Sequence, residues 1–114
     1  MEKISICEVL KCNRTLYKIV EQGNIFPATI GFKIFKIIKK FDEVEEYVMA
    51  TMTNTFEDLT FDDMTDEQYT LYNALLYSEI ELDFEKIESE VFEENEELKL
   101  SLSDISDLTP ILKT

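Results

Sequence analysis

The sequence contains no histidine and no tryptophan, and it has only two glycines among its 114 residues. Histidine is the commonest general base and the usual partner of a nucleophilic serine or cysteine, so its absence excludes most hydrolytic chemistry. Two glycines cannot build a phosphate-cradling loop. A catalytic pair of carboxylates is the alternative left open, but among 25 acidic residues two neighbours are expected by chance. We therefore predict a protein that is not an enzyme and carries no cofactor.

The two cysteines, Cys7 and Cys12, are five positions apart. On a helix this spacing separates them by about 140° around the axis, which prevents a disulfide bond. A zinc site would need further ligands, and the chain has no histidine to supply them. The pattern is typical of small core residues in a reducing compartment, and we predict no metal site and a cytoplasmic location.

Long apolar runs are also missing, and the opening residues lack a basic segment followed by an apolar one. We expect neither a membrane span nor a signal peptide. Hydrophobic residues nevertheless make up 45% of the chain, which is enough for a packed core. The length predicts a single domain over residues 1–114, with a helical core over 1–78 and a β element and C-terminal helix over 79–114.

Charge is abundant and divided along the chain, which has a net charge of −14. Residues 1–41 hold eight basic and three acidic residues, whereas residues 42–114 hold three basic and twenty-two acidic residues. Such acidity argues against direct binding to nucleic acid or to an anionic membrane. Two interpretations stay open: a surface that keeps the protein in solution, or one that competes for a basic patch on a partner protein, as a nucleic-acid mimic would.

The candidate partner-binding residues are the carboxylates that follow the central part of the chain. They are Asp62, Asp63, Asp66, Glu67, Glu79, Glu81, Asp83, Glu93, Glu94, Glu96 and Glu97. The first four do not match the twelve-residue calcium loop, which needs alternating oxygen ligands and a central glycine. Thr65 and Gln68 instead have the spacing of a capping box, so Asp66 and Glu67 fit the start of a helix.

Apolar periodicity predicts a first helix over residues 5–22 that ends at Gly23 and Asn24, with an opening strand over residues 3–7 as an alternative. A second, long helix begins at Pro27 and runs to about residue 55. The residues expected on the buried side of the first helix are Ile6, Val9, Leu10, Leu16, Tyr17 and Val20. The heptad residues of the second are Ile30, Ile34, Ile37, Phe41, Val44 and Val48, widened by Phe35 and Ile38. These heptad residues form either the core of one chain or a dimer seam.

A third helix is predicted over residues 66–77, with Tyr69, Tyr72, Leu75 and Leu76 on its buried side. Alternating segments over residues 79–85 and 97–102 predict two strands that pair with one another. Ser103 is the expected N-cap of a short terminal helix. The predicted class is thus mainly α (α+β): a three-helix core with a long central helix, a small two-stranded β element and a short C-terminal helix.

Three parts of the chain carry a family resemblance: residues 27–40, residues 75–82 and residues 102–111. They contain, in order, a Pro-Ala helix start followed by an apolar and lysine-rich segment, a helix ending in a strand with alternating acids, and a Ser-capped apolar turn with a proline. In this order the chain resembles small uncharacterised proteins of tailed phages of Gram-positive bacteria. The resemblance implies a phage origin and no established activity.

Together these features favour an accessory protein that acts in the host cytoplasm. We expect it to bind and inhibit a host protein, such as a nucleic-acid-binding defence component, through its acidic surface. The partner would be a host or phage protein with a basic surface. The alternative is a virion structural or assembly protein that self-associates, with a homodimer formed through the helix that carries Ile30 and Val48.

Overall fold

The chain begins with strand β1 (Glu2–Ser5) and helix α1 (Ile6–Glu21), followed by the long helix α2 (Ala28–Phe56) and by helix α3 (Asp66–Tyr77). Strands β2 (Glu79–Leu82) and β3 (Ile87–Glu88) and the short helix α4 (Glu90–Glu93) come next. The C-terminal part contains helix α5 (Leu102–Leu108), a 3₁₀ turn (Thr109–Ile111) and strand β4 (Leu112–Lys113). This computed structural model describes residues 2–23, 26–56, 65–96 and 98–113. The predicted mainly helical α+β class is confirmed.

Helix α1 starts at a reciprocal cap. The Ser5 hydroxyl accepts the backbone N–H of Glu8 at 3.1 Å, and the Glu8 carboxylate accepts the backbone N–H of Ser5 at 3.2 Å. The predicted helix is confirmed to within a residue at each end, and the strand held as an alternative precedes it rather than replacing it. Gly23 follows the helix with a φ of +97°, a conformation that favours glycine.

Two residues predicted on the buried side of α1 are exposed in the structure. Tyr17 is 43% exposed and Val20 is 39% exposed, so their predicted burial is wrong. The physical reason is that both side chains line the open groove between α1 and α2 rather than the face of α1 that packs on α2, α3 and α5. That face takes in Asn13 and Thr15 as well as the apolar residues Ile6, Val9, Cys12, Leu16 and Ile19.

Helix α2 supplies the largest part of the core. Its 29 residues extend over about 44 Å. The predicted heptad residues are buried within the single chain, apart from the half-buried Ile30: Ile34, Ile37, Phe41, Val44 and Val48. Ile38 is also buried, but Phe35 is 63% exposed, because its position is about 120° from that of Phe41 around the helix axis. The Phe41 ring meets the Phe84 ring edge to face at a centroid distance of 5.7 Å.

Helix α3 covers the core only partly. Tyr72, Leu75 and Leu76 are half-buried, whereas Tyr69 is exposed, which corrects its predicted place on the buried side. No residue of α3 is fully buried, because α1 is the main element on which this helix packs.

The predicted pairing of two neighbouring strands is wrong. Strand β2 pairs antiparallel with β1, at the other end of the sequence, and the pair is the small two-stranded sheet. Residues 98–100 form no strand, and Leu98 and Leu100 pack half-buried on the core. The reason is that the Gln22 side chain replaces a strand there: its amide oxygen accepts the N–H of Lys99 at 3.0 Å, and its amide nitrogen donates to the Lys99 carbonyl at 3.1 Å.

Helix α5 begins two residues earlier than predicted. Its N-cap is Ser101 rather than Ser103, because Ser101 and Asp104 form a reciprocal capping box. Asp104 also receives the Lys18 ammonium group at 3.1 Å, which joins α5 to α1. Strand β4 then pairs in parallel with β3.

Because Phe41 is buried in the core, truncation of its side chain is predicted to destabilise the fold strongly. We expect Phe41→Ala to lower the free energy of unfolding by about 3–5 kcal/mol, since the ring is fully buried. The control is Tyr77→Ala at the end of α3, whose 74% exposed ring predicts a change within about 0.5 kcal/mol. Urea unfolding followed by circular dichroism measures both, and equal losses would contradict the assigned burial.

The environment of Asp104 predicts a pH dependence. Hydrogen bonds from Ser101, and then the Lys18 ammonium group, lower the pKa of this carboxyl below its ordinary value of 3.8. The carboxylate therefore stabilises the fold fully above that value, and the stabilisation is lost as the pH falls through the lowered pKa. We expect the stability difference between wild type and Asp104→Asn to shrink when the pH is lowered from 6 to about 2.5. Asp83→Asn, at an exposed carboxylate, should show no such trend in the same unfolding titrations.

Candidate functional site

Two of the predicted partner-binding residues lie at the start of α3. Asp66 and Glu67 occupy its first turn, where the helix dipole favours negative charge. The expected capping box is present, with the Gln68 side chain accepting the Thr65 N–H at 2.8 Å and the Thr65 hydroxyl accepting the Gln68 N–H at 3.2 Å. Asp66 and Glu67 are exposed and begin a helix. Asp62, Asp63 and Glu97 lie outside the described residues.

Three further candidates lie in strand β2 or directly after it. Glu79 and Glu81 are exposed on its outer face, and Asp83 is exposed just beyond its end. In the ladder with β1, Glu79 lies opposite Ser5 and Glu81 lies opposite Lys3. The alternation between exposed acids and half-buried Ile80 and Leu82 confirms a strand with one acidic face, but it ends at Leu82 rather than at residue 85 as predicted.

The remaining described candidates surround α4, where the surface is concave. A cavity of about 530 Å³ opens between the beginning of α2 and the segment after α4. Glu94 and Glu96 line it, together with a third carboxylate, Glu90. Its other lining residues are Phe26, Pro27, Ile30, Val91 and Asn95. An apolar wall therefore stands beside three acidic side chains.

Glu93 points to a different place from its neighbours on α4. It lines a second cavity, of about 190 Å³, between α4 and α5. Most other residues of that cavity are apolar, among them Leu98, Leu100 and Leu108. Phe92 separates the two sides of α4 and stacks edge to face with Phe26 at a centroid distance of 5.7 Å.

None of the described candidate carboxylates takes part in an ion pair with another described residue. Four ion pairs join described residues, and none of them includes a predicted partner-binding residue: Lys18–Asp104, Lys33–Glu85, Lys86–Glu2 and Lys113–Glu88. Lys18, Lys33, Lys86 and Lys113 are thus engaged with other acids. The eight described candidates keep their negative charges exposed to solvent.

Sequence reasoning did not include Glu90 or Phe26 in the site. Glu90 and Glu94 are four positions apart on one side of a helix, which is the signal that could have added Glu90. Phe26 is brought to the cavity by the chain between α1 and α2, and no spacing in the sequence indicates that approach.

Within the ranges that the structure describes, no three cysteine or carboxylate side chains are placed to hold a metal ion. Burial in the core, together with the nearby charges of Asp107 and Glu8, raises the pKa of the Cys12 thiol to about 12. Among the described helices, none is both long enough and apolar enough to cross a membrane.

Comparisons of this chain with models of protein families, with curated proteins and with solved structures found no match.

The raised pKa of Cys12 predicts selective thiol labelling. At pH 8 only the thiolate reacts, so a maleimide should label Cys7, which is partly exposed, and leave Cys12 unmodified in the folded protein. We expect one modification by mass spectrometry before unfolding and two in 6 M guanidinium chloride, a denaturing concentration. The Cys7→Ser variant should take up none while folded, and rapid labelling of that variant would contradict the buried position.

Proposed function

We propose that this chain is a non-enzymatic binding protein that inhibits another protein by occupying its basic, nucleic-acid-binding surface. One observation carries the proposal: the cavity beside α4 combines an aromatic and aliphatic wall with Glu90, Glu94 and Glu96. The other exposed carboxylates extend the negative surface along the same part of the sequence. The sign of this surface suits a basic partner.

The cavity has the chemistry to receive a lysine or arginine side chain. Such side chains place their aliphatic stems on apolar surface and keep the cationic end with acids or water. Here the stem would contact Pro27 and Ile30, and the cation would meet the carboxylates or the face of Phe26. A volume of about 530 Å³ has room for such a side chain. The cavity would thus anchor one basic residue of the partner.

The surrounding charge would guide the partner before contact. Net charge of −14 gives a long-range field that accelerates encounter with a positive surface and weakens as salt is added. Surface carboxylates without internal partners lose no ion pair when they bind. These properties support competition with nucleic acid, because phosphates and carboxylates would seek the same lysines and arginines.

The biological setting is part of the same proposal. The resemblance of residues 27–40, 75–82 and 102–111 to small phage proteins supports an accessory protein that acts in the cytoplasm of a Gram-positive host. The inhibited protein would then be a host component that binds nucleic acid, such as a nuclease used in defence.

Capture from a lysate of a Gram-positive bacterium tests the proposed function. The immobilised chain should retain a basic protein at low salt, release it at high salt, and release it when double-stranded DNA is added. The variant Glu90→Gln/Glu94→Gln/Glu96→Gln should bind that protein at least tenfold more weakly, because it loses the anchor as well as three charges.

The matched control is Glu79→Gln/Glu81→Gln/Asp83→Asn, which removes the same number of charges from the β2 region. We expect it to weaken binding only about threefold, through the general field. Recovery of no partner, capture that ignores salt, or equal effects of the two triple variants would each overturn the proposed anchor.

The second candidate function is a structural or assembly role through self-association. It is favoured by one observation, the large apolar side chains on the outer side of α2: Phe32, Phe35, Tyr47 and Met49 are all more than 60% exposed. Exposed apolar groups gathered on one helix are typical of interaction surfaces.

A further inference from the structure

Helix α2 carries a second heptad series on its outer side. The series consists of Phe32, Phe35, Lys39, Asp42, Glu46 and Met49, at alternating spacings of three and four. We call these six residues the outer seam. Its ends are apolar and open to solvent, with Phe32 68% exposed, Phe35 63% exposed and Met49 69% exposed. Alternating spacings of three and four are those by which one helix packs along another.

The positions of the outer seam, though not its residue types, are symmetric about the midpoint between Lys40 and Phe41. Phe32 and Met49 are equally far from that midpoint, and so are Lys39 and Asp42. An antiparallel second copy of α2 would therefore set Phe32 against Met49, Phe35 against Glu46 and Lys39 against Asp42, twice each. In antiparallel pairs of helices, contacts join the two different heptad positions in this way.

Charge selects the antiparallel direction. The first half of α2 is basic and the second half is acidic: Lys33, Lys36, Lys39 and Lys40 precede Asp42, Glu43, Glu45 and Glu46. A parallel pair would set lysine against lysine and acid against acid, which is unfavourable. An antiparallel pair sets each basic half against an acidic half, and so offsets locally the repulsion between two chains of net charge −14.

A groove is present where the end of the second copy would lie. A cavity of about 400 Å³ runs between α1 and α2, lined by Tyr17, Val20, Phe32, Phe35, Lys36, Ile38, Lys39 and Asp42. Its lining is mainly apolar, with two lysines along the edge. Methionine fills irregular apolar gaps and makes favourable contacts with aromatic rings, so Met49 suits this groove. The neighbouring acids of the second copy would meet Lys36 and Lys39.

We propose that the outer seam is the interface of an antiparallel homodimer, with its two-fold axis beside the midpoint between Lys40 and Phe41. The occupant of the α1–α2 groove is thus the second half of α2 from another copy of this chain. The buried heptad residues stay inside each subunit. The dimer makes no use of the cavity beside α4, so it stands or falls independently of the proposed partner-binding function.

Sedimentation equilibrium from micromolar to millimolar concentration tests the dimer. We expect the wild-type mass to rise from 13.4 kDa toward twice that value. Phe32→Glu should raise the dimer dissociation constant at least tenfold, because it sets an acid against Met49. Leu102→Glu is the matched control at an 86% exposed apolar residue of α5, and it should leave the constant unchanged. Circular dichroism checks that both variants keep the fold.

A charge exchange tests the direction of the helices. Lys36 and Glu43 are exposed and flank the outer seam, and in the antiparallel dimer Lys36 of one copy lies near Glu43 of the other. Lys36→Glu alone and Glu43→Lys alone should each dissociate roughly tenfold more readily, since each puts like charges together twice. The double variant Lys36→Glu/Glu43→Lys should regain the wild-type constant. In a parallel dimer each single variant would instead replace one pair of like charges by another, and its dissociation constant would stay close to that of the wild type.

Three results would overturn the proposal. They are a mass of 13.4 kDa at every concentration, a dimer that Phe32→Glu does not weaken, and single charge variants that dimerise as well as or better than the wild type. The charge variants remain informative if Phe32→Glu fails to fold, because their side chains are exposed.

Discussion

The packing of α1 against α2 is the contact on which the other parts of the structure depend. Both helices bury apolar faces there, and a polar clamp sets their relative position: the Asn13 amide nitrogen donates to Asp42 at 2.9 Å and to Glu45 at 3.1 Å. The Tyr17 hydroxyl donates to Asp42 at 2.7 Å. The carboxylates of Asp42 and Glu45 can lie near each other because both accept hydrogen bonds from neutral donors. A buried amide with carboxylate acceptors allows few other alignments of the helices.

This alignment determines how charge is distributed over the surface. Lys18 of α1 reaches Asp104 of α5, and Lys33 of α2 reaches Glu85 after β2. Both ion pairs join the basic first part of the chain to its acidic remainder. Among the described residues, the carboxylates of α3, β2 and α4 form no ion pair, which suits the acidic face proposed for a basic partner. The lysines of α2 that stay exposed beside Phe32 and Phe35 form a basic area, and this contrast supports two separate binding surfaces.

The sequence predicts helices well here because their signals are local. The heptad spacing of α2, the capping box at Thr65 and the glycine after α1 each depend on residues within a few positions. The strand partners could not be predicted in this way. Alternation identified β2, but its partner lies at the other end of the chain, and the nearer alternating segment bonds to a glutamine side chain instead. Which side of α1 is buried depends on how many neighbours cover it, so Tyr17 was misplaced.

The sequence predicted which acidic residues would be exposed, but it did not predict the cavity that some of them line. Eight of the eleven proposed carboxylates are among the described residues, and all eight are exposed, as a charged surface requires. The cavity beside α4 needed Phe26, which reaches it through the fold, and Glu90, which the alternation of acids did not distinguish from its neighbours. Residue spacing shows which side chains share a face of one helix or strand. A cavity is lined by residues from several elements, so spacing alone does not predict it.

The β1–β2 ladder joins the first residues of the chain to residues 79–82, and the Ile6 N–H donates to the Ser78 carbonyl at 3.0 Å. During synthesis on the ribosome, β1 emerges long before its partner does. The α1–α2 hairpin can form from local contacts while the opening strand still waits with an unpaired edge. The β1–β2 ladder joins residues 2–5 to residues 79–82, so we expect it to form after the α1–α2 hairpin.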